Sequence, residues 1–140
     1  MSPAGFIVLI DIVDFSLLVA DEQERCVRAL WAAVEGHGAV TSNSEVLHSG
    51  TGDGILSAFP RNGVTVPHHV VLEFAEAVAH AAEAHTPPFH IRVGVHEGEF
   101  ARLHGLGSLQ VVGTGPNECA RVCSIGDGGH IVVSEEFVAS

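Results

Sequence analysis

Apolar positions along this chain fall into a few recognisable periods. Phe6–Ile10 is an unbroken apolar run containing the β-branched residues Ile7, Val8 and Ile10. Such a run marks a central strand covered on both faces. Asp11–Ser16 then reads as a strand-to-helix turn. Asp21-Glu22-Gln23-Glu24 fits a capping box, with Asp21 as N-cap and Glu24 at N3. Behind it Val27, Leu30, Trp31 and Val34 recur at helical spacing and predict one apolar stripe, with Trp31 in the core. Gly36 and Gly38 terminate that helix.

Glu45–Ser49 and Gly54–Phe59 read as two strands, with Gly50-Thr51-Gly52-Asp53 as the tight turn between them. Pro67 sits where the N1 proline of a helix belongs. Val70, Val71, Phe74, Val78 and Ala81 supply that helix's buried stripe, and it ends before Pro87-Pro88. Phe89–His96 alternates: Phe89, Ile91, Val93 and Val95 face one way, His90, Arg92, Gly94 and His96 the other. A short Gly-rich segment over 101–108 precedes a strand at Leu109–Val112. Asn117–Ser124 forms a short helix and His130–Ser134 a last strand. The order β-α-α-β-β-α-β-β-α-β, with hairpin-joined strands between helices, predicts an α+β fold of ferredoxin-like, βαββαβ type.

At 140 residues and 14.6 kDa the chain is one domain's worth of protein. With 46% hydrophobic and 16% charged residues it can bury a core, and disorder is excluded. The formal net charge is −11, and all six basic residues are arginine (25, 28, 61, 92, 102 and 121). A lysine-free chain argues against a Walker-type phosphate loop, Schiff-base chemistry and a nucleic-acid partner. An acidic chain that handles phosphate needs cations to bridge like charges. Cys26, Cys119 and Cys123 make an odd count with no CxxC pair, and Cys119 and Cys123 share a helix face. That usage points to a reducing, cytoplasmic setting. Neither a signal peptide nor a membrane-spanning run is expected.

Asp11 ends the first strand and Asp53 sits in the hairpin turn. If the strand pairs beside that hairpin, the two carboxylates converge at one end of the sheet. Two hard carboxylates near a helix N-terminus suit Mg²⁺ and a polyphosphate. Taken singly, each aspartate reads equally well as a cap or a turn residue. Asn117 and Arg121, at i and i+4, share a helix face and can grip one substrate, or can be an N-cap and a surface charge.

Five blocks occur in an order that changes this balance: Phe6–Ser16 (FIVLIDIVDFS), Gly52–Pro60 (GDGILSAFP), Ile91–Gly98 (IRVGVHEG), Val112–Arg121 (VGTGPNECAR) and, more weakly, Gly126–Ser134 (GDGGHIVVS). Together they resemble the catalytic domain of class III nucleotide cyclases, the adenylate and guanylate cyclase family, over nearly the whole chain. The resemblance implies a role for each matching position. Asp11 and Asp53, with the backbone carbonyl of Ile12, hold two Mg²⁺ or Mn²⁺ ions. Asn117 orients the ribose and Arg121 stabilises charge on the reacting phosphate. The loop through Asp14, Phe15 and Ser16 cradles phosphates with backbone N–H groups. Asp14 stands where many relatives have glycine and reads as a local cap rather than a third ligand. The resemblance further implies a homodimer with shared active sites, one subunit giving the metal aspartates and the other Asn117 and Arg121.

Two departures bear on substrate. The base-reading positions fall on Ser49 and Gln110, so neither purine code of the family, Lys/Asp or Glu/Cys, is present. A glutamine amide both donates and accepts and suits several base edges. The short chain also resembles the stand-alone pyrimidine cyclases of anti-phage defence (the Pycsar systems), which gives a slight lean to cyclic UMP or CMP. Residues 1–140 read as a single cyclase domain lacking the family's C-terminal strand pair and its basic residue for the terminal phosphates, for which Arg61 is a candidate substitute. The expected activity is therefore metal-dependent conversion of a nucleoside triphosphate to a 3′,5′-cyclic nucleotide and pyrophosphate. The alternatives are an adenylate cyclase making cyclic AMP and a catalytically degenerate nucleotide-binding or dimerisation module. A diguanylate cyclase is disfavoured because no Gly-Gly-Asp/Glu-Glu-Phe signature occurs. Arg92 is expected in a structural ion pair, His48 and His96 as satisfied structural histidines, and Cys119 and Cys123 beneath the Arg121 helix.

Overall fold

A computed structural model describes residues 4–61 and 66–140. Its centre is strand β1 (Ala4–Ile12), where Phe6–Ile10 are all buried. An apolar run of this kind needs cover on both faces, and it gets it. On either side run β3 (Gly54–Pro60) and β4 (Ile91–Glu99), both antiparallel to β1. Beyond β3 lies β2 (Leu47–Gly50), and beyond β4 lies β7 (Ile131–Val133), parallel to it. The sheet order is β2-β3-β1-β4-β7.

Helix α1 (Ala20–Gly36) and the short α2 (Gly38–Thr41) connect β1 to β2, and α3 (His68–Ala84) connects β3 to β4. That connectivity, with β1 between β3 and β4, is the ferredoxin-like βαββαβ arrangement expected from the pattern. Phe6, Val8, Ile10 and Ile12 face α1 and α3 and share a core with Leu30, Val34, Val71, Phe74 and Val78. Ile7 and Leu9 face the other way, toward helix α4 (Thr114–Ile125), and pack with Leu56, Ala58, Phe100, Val111, Cys119 and Cys123. Helix α4 can lie directly on β4 because Gly94 has no side chain. A Cβ there would come within 2.7 Å of the Cys123 backbone.

Several expectations shift in detail. Helix α1 begins at Ala20, not after Asp21, with Val19 as N-cap. Glu22 Oε1, rather than Glu24, accepts from the Val19 N–H at 3.2 Å. Gln23 Nε2 donates to the Phe15 carbonyl at 3.0 Å and ties this first turn back to the loop before it. The buried stripe of α1 is Cys26, Leu30 and Val34, which leaves Trp31 42% exposed at its edge. On α3 the stripe ends on Ala82, not Ala81, in phase with Val71, Phe74, Ala75 and Val78. Helix α4 starts at Thr114 with Gly113 as N-cap, so Asn117 lies inside the helix and is no cap.

Residues 101–108 are not a loop. Strand β5 (Ala101–Gly105) pairs with β6 (Ser108–Val112) in a separate hairpin. Its turn places Leu106 and Gly107 at φ 52° and 76°, the left-handed pair that a two-residue type I′ turn requires. A final helix, α5 (Glu135–Ala139), follows β7. Ser134 Oγ accepts from the Phe137 N–H at 3.1 Å, and Phe137 packs edge-on to Phe6.

Candidate active site

The end of β1 fixes the first half of the site. In register Asp11 stands opposite Gly54 on β3 and opposite Arg92 on β4. A side chain at position 54 would run into the Ile10 carbonyl, so glycine is what lets the β2–β3 turn close against β1. The Ile12 N–H donates to the Asp53 carbonyl at 2.8 Å and pins the turn to the strand end. Thr51 Oγ1 lies 3.5 Å from Asp53 Oδ1.

Asp11 is half-buried, and its carboxyl titrates above the ordinary 3.8. Burial is the main cause and the charge of Asp53 adds to it. The Arg92 guanidinium and the Cys123 thiol, 3.8 Å from Asp11 Oδ2, pull the other way. Two like charges sharing a partly desolvated corner are relieved by a cation. No group of three or more His, Cys, Asp or Glu side chains converges among the described residues. Two carboxylates with a neighbouring backbone carbonyl fit a hard ion that takes its remaining oxygens from water and phosphate. Mg²⁺ and Mn²⁺ are such ions.

The loop after β1 is tied down by its backbone. The Val13 N–H donates to the His90 carbonyl at 2.9 Å, and those of Leu17 and Leu18 donate to Asp14 and Phe15 at 3.0 and 3.1 Å. Asp14 adopts a left-handed conformation, φ 55°, and its side chain makes no capping hydrogen bond, contrary to the role expected for it. The Phe15 side chain packs on the core, and Ser16 is exposed.

Ser49 and Gln110, far apart in sequence, meet. Ser49 Oγ donates to Gln110 Oε1 at 3.3 Å, and Gln110 Nε2 donates to Ser108 Oγ at 3.3 Å. Ser49 is buried under the hairpin and Gln110 stays exposed.

Asn117 and Arg121 lie on the outer side of α4 and are exposed. Their neighbours Cys119 and Cys123 point the opposite way, into the sheet, and donate to the carbonyls of Ile7, Gly94, Leu9 and Arg92. Burial pushes both thiols up to about 12, so they are packing groups. Among the described residues no ion pair or hydrogen bond joins Asn117 or Arg121 side chains to Asp11, Asp53, Ser49 or Gln110. A single chain thus brings together the carboxylates and, separately, the Ser49–Gln110 pair, and leaves the Asn117–Arg121 face turned outward.

Two arginines depart from expectation. Arg92 makes no ion pair among the described residues; its Nε is buried without a partner, and its charge acts on Asp11 through space. Arg61 pairs with Glu97 at 3.5 Å and covers the Phe6 ring. It sits beside Ala4 at the other end of β1, roughly 20 Å of strand from Asp11, and cannot serve phosphates there. His96 is satisfied as expected, bonded to Ser134 and Glu118. His48 is satisfied only in part, because its Nδ1 meets Ser57 Oγ at 2.8 Å while its Nε2 is buried without a partner among the described residues. Burial lowers the His48 pKa against a weaker opposing pull from Glu35. Sequence reasoning missed the contacts of Cys123 with Asp11 and of Ser108 with Gln110. Both depend on packing between distant segments and carry no local signal.

The family model described as the adenylate and guanylate cyclase catalytic domain matches residues 5–140. No curated protein matches the chain. Solved structures match over 99% of it. One is the non-canonical dimeric guanylyl cyclase domain of the RhoGC fusion protein from the aquatic fungus Blastocladiella emersonii (20% identity, 83% of that chain, TM-score 0.77). Another is the guanylate cyclase domain of RhGC from Catenaria anguillulae in complex with GTP (20% identity, 81% of that chain, TM-score 0.76). A third is the adenylyl cyclase CyaB from P. aeruginosa (13% identity, 80% of that chain, TM-score 0.71). At these identities the structural likeness speaks for the fold.

Proposed function

The chain belongs to the adenylate and guanylate cyclase catalytic-domain family, and we propose that it converts a nucleoside triphosphate to a 3′,5′-cyclic nucleotide and pyrophosphate. The observation that carries this reading is the convergence of Asp11 and Asp53 at one sheet end, where their mutual repulsion calls for a cation. In the proposed mechanism Asp11, Asp53 and the Ile12 carbonyl would hold two divalent ions, Mg²⁺ or Mn²⁺, whose positive charge would lower the pKa of the 3′-hydroxyl and stabilise the departing pyrophosphate. The backbone of Asp14, Phe15 and Ser16 receives the phosphates. Asn117 holds the ribose so that the 3′-oxygen faces the α-phosphate in line. Arg121 places a fixed positive charge where negative charge develops on that phosphate. Ser49 and Gln110 face the base.

Two chains suit this division of labour. Asn117 and Arg121 are exposed on α4 with no hydrogen bond or ion pair to the carboxylates of their own chain among the described residues, and Leu103, Leu106 and Val112 of the hairpin are exposed apolar residues suited to a second copy. We therefore assign a homodimer in which each site takes its carboxylates from one subunit and its Asn117–Arg121 pair from the other. For the base we favour a pyrimidine, uracil first: a buried serine hydroxyl bonded to a glutamine amide matches neither purine code. On the resemblance of the short chain to the stand-alone pyrimidine cyclases of anti-phage defence, we assign the product as a cytoplasmic antiviral signal. No helix among the described residues is long and apolar enough to cross a membrane.

The test is incubation with ATP, GTP, CTP and UTP in Mn²⁺, with products identified by mass spectrometry. A 3′,5′-cyclic nucleotide with stoichiometric pyrophosphate is expected, most from UTP. No cyclic product from any triphosphate overturns the activity; conversion of ATP about tenfold better than UTP overturns only the base.

A further inference from the structure

His96 is only 2% exposed, yet the mechanism above gives it no part. It lies on β4 under α4, in a chain of hydrogen bonds that joins three elements. The Phe137 N–H donates to Ser134 Oγ at 3.1 Å, which leaves the serine proton free for His96 Nδ1 at 2.8 Å. The Glu118 carboxylate can only accept, so His96 Nε2 carries a proton and donates it to Glu118 Oε2 at 3.2 Å. The fit is close: a Cβ on Gly98 would come within 3.0 Å of His96 Nε2 and 3.1 Å of the Gly115 Cα.

Glu118 stands one residue after Asn117 and three before Arg121 on α4. Opposite charges at i and i+3 on a helix are neighbours and attract. Glu118 is held by His96 instead, and Arg121 has no ion-pair partner among the described residues. We propose that His96 is a positioning residue that withholds Glu118 from Arg121 and so keeps the guanidinium open for the reacting phosphate. This rests on the reading of Arg121 given above. A free Glu118 would neutralise that guanidinium where negative charge develops on the reacting phosphate.

His96→Asn keeps an acceptor for Ser134 but ends short of Glu118. It should lower kcat about tenfold, with KM changed less than about twofold, because the lost charge acts in the transition state. Adding Glu118→Gln should restore kcat to within about threefold of Glu118→Gln alone, which itself stays near wild type. His96→Gln, which keeps a donor at the far end, should retain activity. A double variant as slow as His96→Asn would reduce His96 to a packing role and overturn the proposal, as would wild-type kcat in His96→Asn. If His96→Asn fails to fold, Glu118→Asp is the second variant, on a half-exposed side chain. Its shorter carboxylate loses His96 but stays beside Arg121, so kcat should fall where Glu118→Gln leaves it unchanged; equal rates overturn the proposal. The ¹⁵N resonance of the Arg121 side chain reads the pairing without turnover. It should shift in His96→Asn and return with Glu118→Gln, and an unmoved resonance overturns the proposal. A wild-type protein that makes no cyclic nucleotide sinks the cyclase reading, while that resonance still decides where Glu118 sits.

Discussion

The two faces of the central sheet are built differently. Toward α1 and α3, β1 presents Phe6, Val8, Ile10 and Ile12, and the cover is an apolar core with Phe74 and Val78 at its centre. Toward α4, the same strand presents Ile7, Leu9 and then Asp11. Its neighbours there are Ser49, Gly94 and His96, and the cover is one helix and a hairpin. Apart from Asp53, in the turn at the sheet end, every side chain assigned here to chemistry or base reading lies on the second face or on the elements that cover it. The difference teaches a division of tasks: one face supplies stability, which frees the other to carry a partly desolvated carboxylate, polar pairs and an exposed helix edge.

That contrast is broken most severely at the carboxylates. Asp11→Ala and Asp53→Ala should each lower turnover at least about 100-fold, since each removes half of the side-chain cation ligands. Their thermal melting points should be no lower than that of wild type, because neither residue is part of the apolar core. Near wild-type turnover of either variant at saturating Mn²⁺ would remove the metal assignment. The opposite pattern is expected on the first face. Phe74→Ala, in a fully buried position, should cost about 3–5 kcal/mol in chemical denaturation while kcat per folded molecule changes little. A selective loss of kcat without loss of stability would show that the first face also serves the chemistry.

Smaller effects sharpen the comparison. Gln110→Ala should lower discrimination among the four triphosphates more than it lowers turnover of the best one, read as kcat/KM for each. The smallest effect is electrostatic. Asp11 titrates above its ordinary 3.8 in the fold, so folding favours its protonated form. The favourable contribution is complete below 3.8 and is lost as pH rises through the folded pKa. Without divalent metal, Asp11→Asn should therefore melt higher than wild type at pH 7, with the advantage fading toward pH 3.8, as a melting series against pH would record. A variant that is less stable at pH 7 would mean that Asp11 is held by favourable contacts instead.

The first face was the legible one. Continuous or alternating apolar residues placed β1, β3, β4 and α3, because burial on that side is what hydrophobic periodicity reports. The convergence of Asp11 and Asp53 was also legible, since it follows from pairing one buried strand with a tight hairpin. What escaped lies on the second face and at the margins. Every residue of β5 is exposed, so the strand has no apolar period and reads as a loop. His96 falls on the polar alternation of β4 yet is buried, because Gly94 and Gly98 admit α4 over it. Helix α5 carried a readable signal in Ser134 followed by Glu135 and Glu136, an N-cap with acids in the first turn. Trp31 fits the helical stripe of α1, but the sheet edge gives it little to pack against. The outward aim of Asn117 and Arg121 appeared only once Cys119 and Cys123 were seen to face the sheet.

The central claim is that the second face forms half a site, completed by another copy. It is tested most directly by mixing Asp11→Ala with Arg121→Ala, each inactive alone. After subunit exchange, half the molecules are heterodimers holding one site with both intact aspartates and an intact arginine, so activity should return to about a quarter of wild type. No recovery, with exchange demonstrated by native mass spectrometry of differently tagged subunits, would contradict the account and place a complete site within one chain.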